Sequence, residues 1–396
     1  MVSGMPENVT VQDVFYRFYG SYLDGNSPTP KQAKTATHIM NCKTGAYGSN
    51  ISVCDDCGSR RYHHNSCRDR GCPMCQELPK EKWIDAQKED VLDAPYFHVV
   101  FTLPAELNSL IYGNQKVLYD LLYRCSADTI LTLSADEKYL GAKVGFLSVL
   151  HTWGSNLGYH PHLHMVVLGG GLCEEGHWKT KGENFFLPVK VISHVFRGKY
   201  LAGLKEIRES GMLTCHGECE KYQGDDQFQS LMDNCYGKEW VTFSKKTFRD
   251  ATSVIEYLGR YTHRIAISNH RILSMDEENV TYRVKDYKKD GGWKTMTVTG
   301  AEFIRRFLMH VLPKGFVRLR HYGLLCNRSK KENMIKCRNL IGCEKYLSVL
   351  RNMAADELLK HLYGIDIHEC PECGSRRCRQ LKARPMVHYR DGPKAA

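Results

Sequence analysis

The placement of cysteine constrains this chain more than any other feature of its sequence. It has seventeen cysteines, an odd number, and they are clustered. Six lie between Cys42 and Cys75, where the sequence runs CDDCGSRRYHHNSCRDRGCPMC from Cys54, and three more lie between Cys370 and Cys378. The opening MVSGMPENVTVQDVFYRF has no basic stretch followed by an apolar core, so no secretory signal is visible and a reducing, cytoplasmic compartment is expected. Clustered cysteines there bind metal more often than they form disulfides. A C-x2-C bend lets two thiolates reach one Zn²⁺ at about 2.3 Å, so Cys54/Cys57 and Cys72/Cys75 are expected to complete one tetrahedral site. Cys67 and the pair His38/Cys42, with His63 or His64, are candidates for a second ion. Cys370, Cys373 and Cys378 resemble half a zinc ribbon, with His368 or Cys343 as candidate fourth ligand. Cys215-His216-x2-Cys219 reads as a loop with incidental cysteines. All-thiolate sites are closed and structural, and Arg60, Arg61, Arg68 and Arg70 lie where small zinc modules present basic side chains to nucleic acid.

The 55 Lys and Arg exceed the 44 Asp and Glu by eleven, which favours an anionic partner but says nothing of fold. A hydrophobic content of 42% with 25% charged residues excludes wholesale disorder. No apolar run approaches the roughly 18 residues of a membrane span. The length, 396 residues, suits two or three domains of about 150 residues, and no repeat or low-complexity tract is evident. The pattern divides into a helical and cysteine-rich front at 1–95, an α+β segment at 96–265, a basic β-rich extension at 266–330 and a helical tail with a cysteine cluster at 331–396. YFHVVFTL from Tyr96, GFLSVLHTW from Gly145 and HLHMVVL from His162 read as strands, the last ended by Gly169–Gly171. The short SNLGYHP link between the last two predicts an antiparallel hairpin.

The densest chemical signal is His160-Pro-His162-Leu-His164. Side chains alternate along a strand, so His162 and His164 share a face, as a metal pair requires. His151 on the preceding strand can supply a third imidazole, with His160 the competitor for that place. Downstream, IEYLGRYTHR predicts a helix in which Tyr257 and Tyr261 project from one face, one turn apart. Two tyrosines at this spacing serve either as half-buried packing or as a functional pair. Arg260 and Arg264 form a second i, i+4 pair that can meet phosphates, and Gly259, which costs roughly 1 kcal/mol relative to Ala in a helix interior, makes sense if the backbone must let something approach closely. Arg318, Arg320 and Tyr322 alternate along FVRLRHY and read as a phosphate-tracking face or an ordinary solvated one.

Taken in order, SCRDRGCPMCQ, LHTWGSNLGYHPHLH, EYLGRYTHRIAISNHRI and FIRRFLMHVLPKGFVRLRHYG resemble the two-tyrosine HUH rolling-circle transposases of bacterial insertion sequences, the IS91 type, over nearly the whole chain. The resemblance implies an HUH nuclease core, a central antiparallel sheet flanked by helices, behind an N-terminal zinc module. It implies His162 and His164 as metal ligands, Tyr257 and Tyr261 as nucleophiles, and Mg²⁺ or Mn²⁺ where imidazoles alone would suit zinc. His151 as third ligand follows the hairpin and the three-histidine arrangement of conjugative relaxases. The implied reaction is nicking and rejoining of single-stranded DNA at element ends through a 5′-phosphotyrosine, in a nucleoid-associated protein. No G-x4-G-K-S/T loop is present, so strand unwinding is expected from host replication or helicase proteins. A rolling-circle replication initiator or relaxase-like nickase, and a non-enzymatic zinc-dependent DNA-binding regulator, are the alternatives.

Overall fold

The computed structural model describes residues 9–181, 187–246, 253, 259, 266–286 and 292–385. Helices α1 (Val11–Leu23) and α2 (Pro30–Asn41) each begin at a threonine, Thr10 and Thr29, in capping boxes closed by Asp13 and Gln32. They are followed by β1 (Ser49–Cys54), β2 (Arg60–His64) and α3 (Glu77–Lys88). The central segment supplies β3 (Tyr96–Thr102), α4 (Asn108–Gly113), α5 (Gln115–Ala135), β4 (Lys143–Trp153), β5 (Tyr159–Leu172), β6 (Trp178–Thr180), α6 (Val189–Glu209), α7 (Asp225–Tyr236) and β7 (Thr242–Lys246). The remainder forms β8 (Ile272–Met275), β9 (Asn279–Asp286), β10 (Gly292–Thr299), α8 (Gly300–Leu308), β11 (Leu319–Gly323), α9 (Lys330–Ile341), α10 (Ala355–Tyr363) and β12 (Cys378–Ala383). No helix among the described residues is long and apolar enough to cross a membrane.

The fold is α+β around a central sheet of order β11-β4-β5-β3-β7, with β6 paired to the end of β5 and all neighbours antiparallel. Period-2 alternation assigns its two faces different tasks. Phe101, Leu150, Leu163 and Met165 point to one side and share a core with Leu122 and Ile130 of α5 and Phe196 and Leu204 of α6. Leu147, Val149, Val166 and Leu168 point to the other, where they meet Ile84 of α3 and Met334 and Cys337 of α9.

Strand β5 runs to Leu172, past the three glycines expected to end it. Each glycine marks a close approach instead. A Cβ at Gly169 would lie 2.6 Å from Phe97, at Gly170 2.5 Å from Trp178 and at Gly171 2.3 Å from the Lys143 carbonyl oxygen. Missing side chains let the neighbouring strands close in without breaking the ladder.

A second sheet, β10-β9-β8, packs with α1 and α8. Val14, Phe15 and Phe18 share one apolar cluster with Val280, Tyr282, Phe303 and Phe307, so the N-terminal helices and the stretch after residue 266 have a common core. A third sheet, β12-β1-β2, joins the two ends of the chain.

Candidate active site

In the β4–β5 ladder His151 is the partner of His162, and Val149 that of His164. Cross-strand partners face the same side, so three imidazoles converge on the sheet face opposite the α5/α6 core. One ring nitrogen from each of His151, His162 and His164 lies within 4.8 Å of the others. The Nε2 atoms of His162 and His164 are 3.0 Å apart. His160 stays outside this group. It offers its carbonyl oxygen, 2.6 Å from His162 Nδ1. A carbonyl only accepts, so the His162 proton sits on Nδ1 and Nε2 is left with its lone pair toward the cluster.

A fourth histidine completes the arrangement. His98 on β3 places Nε2 2.8 Å from His164 Nδ1, the two rings lying nearly parallel with centroids 5.0 Å apart. When His164 donates its Nδ1 proton to His98, its Nε2 is freed in the same way. Burial holds His98 and His162 down at about 4 and His164 well below its ordinary value. The rings are therefore neutral at neutral pH, the form that binds metal. Sequence reasoning missed His98 because a single histidine in YFHVVFTL has no motif around it. The signal was its place beside the HLH strand, which needs the β3–β5 register to be seen. Three neutral imidazole nitrogens fit a divalent ion.

A cleft adjoins the cluster along β4, lined by Trp83, Val149, Trp153, Arg70, His310 and Arg318 among others. Trp153 stacks on His151 at 4.7 Å, and the Arg318 guanidinium lies 5.0 Å over the Trp153 ring. Burial lowers Arg318 to about 10, and its Nε donates to the Leu150 carbonyl at 3.0 Å. Arg318 therefore borders the site from a half-buried position. Arg320 does not join it in a phosphate-tracking face. Its guanidinium pairs with Asp120 and lies 4.0 Å over Tyr123, because it points toward α5.

Tyr257, Tyr261, Arg260 and Arg264 lie outside the described residues. Gly259 between the tyrosines is described, helical and buried, and a Cβ there would lie 2.2 Å from Cδ1 of Ile84. The close approach expected at this glycine is to α3, on the histidine side of the sheet.

The cysteines group differently from expectation. Cys42, Cys67, Cys72 and Cys75 form one cluster of four converging sulfurs, while Cys54 and Cys57 group with Cys370 and Cys373. The reason is topological: the end of α2 brings Cys42 to the 67–75 loop, whereas β12 pairing with β1 brings the C-terminal turn to Cys54. His38 is no ligand here, since its Nδ1 lies 3.0 Å from Asp69. His64 is engaged by Ser49 at 2.7 Å, and His63 lies outside both groups. Cys378 sits opposite Cys54 in the ladder, outside the four-sulfur group, and His368 is paired with Asp356. The arginines between the ligands are partly used inside the fold: Arg70 donates to the Phe316 carbonyl at 3.1 Å and Arg61 to that of Glu369 at 2.6 Å.

Comparison with known proteins defines the class to which this arrangement belongs. Residues 14–103 match a family model described as "Transposase zinc-binding domain", and residues 145–333 match one described as "Putative transposase". The chain belongs to the IS91-type insertion-sequence transposases, the two-tyrosine HUH group, with an N-terminal zinc-binding domain. It is 41% identical over 368 residues to "Putative transposase y4qJ" of Sinorhizobium fredii, covering 92% of each chain. It is 29% identical over 301 residues to the transposase for insertion sequence element IS801 of Pseudomonas savastanoi pv. phaseolicola, covering 75% of this chain and 71% of that one. A metal-bound structure of the conjugative relaxase TrwC in complex with oriT DNA aligns at 12% identity and a TM-score of 0.25, over 66% of this chain and 97% of that one. The cysteine clusters and the zinc-binding domain match together support structural zinc.

Proposed function

We propose that this transposase nicks and rejoins single-stranded DNA at the ends of its element through a 5′-phosphotyrosine intermediate, and so drives rolling-circle transposition. The observation that carries this reading is the convergence of His151, His162 and His164 on the sheet face against which Ile84 and Gly259 meet. Gly259 stands two residues from Tyr257 and two from Tyr261 in the sequence. The chain at Gly259, which the sequence sets between the two candidate nucleophiles, is thus held on the side of the sheet that carries the imidazoles.

The proposed chemistry is a transesterification. The phenolate oxygen of Tyr257 or Tyr261 attacks the scissile phosphorus, the P–O3′ bond breaks, and the leaving oxygen takes up a proton as a free 3′-hydroxyl. Rejoining is the reverse attack by a 3′-hydroxyl, which releases the tyrosine without ATP. Mg²⁺ or Mn²⁺ held by the three imidazoles would neutralise charge on the phosphate oxygens. The protein's own part is to keep those rings neutral by burial and aimed by the His160 carbonyl and His98. Trp83, Trp153 and Arg318 give the adjoining cleft two aromatic faces and a cation, which suits a DNA strand. A second tyrosine allows two strand ends to be exchanged in turn, and unwinding is left to host replication or helicase proteins.

The test uses the full-length protein and single-stranded oligonucleotides carrying the element ends. Cleavage that leaves a 3′-hydroxyl and a protein-linked 5′ end, requires Mg²⁺ or Mn²⁺, and disappears in the Tyr257→Phe/Tyr261→Phe double variant is the expected result. Undiminished adduct formation by that double variant would remove both tyrosines from the mechanism. His162→Ala should abolish cleavage while zinc content stays constant.

A further inference from the structure

The turn at Cys54 and the turn at Cys370 are built alike. One reads CDDCGSRR and the other CPECGSRR, the same C-x2-C-G-S-R-R pattern twice, too short and too widely separated to register as a repeat along the chain. Their backbones match as well. Cys54 N–H donates to the Ser59 carbonyl at 2.9 Å and Gly58 N–H to the Cys54 carbonyl at 3.0 Å. In the second turn Cys370 N–H donates to the Ser375 carbonyl and Gly374 N–H to the Cys370 carbonyl, each at 2.8 Å. Gly58 and Gly374 hold φ of 73° and 70°, a conformation that side chains other than glycine rarely adopt.

The two turns face each other. Cys54 Sγ lies 3.6 Å from Cys373 Sγ, and Cys57 Sγ 3.6 Å from Cys370 Sγ, though each pair is separated by more than three hundred residues of chain. These separations are far from a bonded disulfide. They are close to the roughly 3.8 Å edge of a tetrahedron with 2.3 Å Zn–S bonds. Around them β12 pairs with β1 from Ser49↔Ala383 to Cys54↔Cys378, and β1 with β2. Arg379 reaches Asp55 at 2.6 Å, Arg377 reaches Asp56 at 3.3 Å, and Arg61 donates to the Glu369 carbonyl from the other side. Arg61 and Arg377, the last residue of each repeat, therefore each reach the other turn, and Arg379 of β12 adds a further bridge.

We infer that the two ends of the chain jointly hold one Zn²⁺ through Cys54, Cys57, Cys370 and Cys373, in a zinc ribbon whose halves come from opposite ends of the sequence, separate from the site formed by Cys42, Cys67, Cys72 and Cys75. The ion acts as a clasp that keeps β12 docked on β1. Each group has two buried sulfurs, but Cys57 and Cys373 are exposed where Cys67 and Cys75 are half-buried, so the clasp ion is the first of the two to yield to a chelator.

The experiment is elemental analysis of the full-length protein and its variants. Cys54→Ser/Cys57→Ser and Cys370→Ser/Cys373→Ser should each lose one zinc equivalent, and the quadruple variant should lose that same single equivalent. Hydrogen exchange at residues 378–383 should accelerate in all three while β3 and β5 stay protected. Cys373→His, which keeps a zinc-binding side chain, should retain the ion where Cys373→Ser loses it, separating loss of a ligand from loss of fold. Loss of two equivalents in the quadruple variant, unchanged zinc in either double variant, or a disulfide among these four cysteines in the purified protein would overturn the assignment.

Discussion

Gly259 lies so close to Ile84 that a Cβ added to the glycine would stand 2.2 Å from the isoleucine Cδ1. Ile84 belongs to the apolar cluster that also contains Val149 and Val166, which flank the imidazoles on β4 and β5. Helix α3, within the stretch that matches the zinc-binding domain, thus carries the contact between Gly259 and the histidine face. The zinc module and the central sheet are parts of one packing problem.

The sign of one substitution tests that contact. In a solvated helix Gly→Ala stabilises by about 1 kcal/mol. Overpacking against a buried side chain typically costs about 1–3 kcal/mol and reverses the sign here. Gly259→Ala should lower the thermal midpoint and slow DNA cleavage, and its cost in stability should shrink when Ile84 is already Ala. A raised midpoint in the single variant would contradict the packing.

His98 is expected to act through His164. His98→Phe keeps a ring of similar shape but removes the acceptor 2.8 Å from His164 Nδ1. Losing such a partner typically lowers metal affinity ~10–100-fold. Titration of Mn²⁺ should show that loss with thiolate-bound zinc unchanged, and His98→Gln should recover part of it. Equal Mn²⁺ affinity in wild type and His98→Phe would take His98 out of the site.

Buried histidines also set the acid limit of the fold. Burial lowers His98, His162 and His310 to about 4, whereas an unfolded histidine titrates near 6.5. Between those values the unfolded chain binds more protons, so these groups make stability rise with pH up to about 6.5 and leave it flat above. His310 isolates the effect, since it lies between Thr152 Oγ1 and the Leu157 carbonyl, each at 3.1 Å. On acidification from pH 6.5 to 4.5 the wild type should lose stability faster than His310→Gln, by at most about 1.4 kcal/mol per pH unit. Denaturant midpoints at matched pH measure this, and parallel curves would argue against a neutral buried His310.

Much of the site was legible because local periodicity encodes it. Alternation in HLHMVVL puts His162 and His164 on one face, and a short link to the strand carrying His151 leaves few alternatives to a hairpin. What could not be read depends on which distant segments meet. Nothing near Cys54 says that its partners are Cys370 and Cys373 rather than Cys72 and Cys75, because chain topology makes that choice. His98 was hidden for the same reason, as a strand histidine gains meaning only from its neighbour in the sheet. Arg320 looked available to phosphate because spacing reveals a face but not the Asp120 that awaits it on α5. Gly169–Gly171 looked like a strand end, since the sequence cannot show that Phe97, Trp178 and the Lys143 carbonyl fill the space left by their missing side chains.

The central claim is that a tyrosine of the Tyr257/Tyr261 pair becomes covalently joined to DNA at the histidine face. Peptide mass mapping of the protein after reaction with single-stranded end DNA and Mn²⁺ tests it most directly. The account predicts a nucleotide-phosphate adduct on the peptide spanning these residues, located on Tyr257 or Tyr261 and missing from the His162→Ala protein. An adduct on any other residue, or cleavage with no covalent intermediate at all, would contradict it.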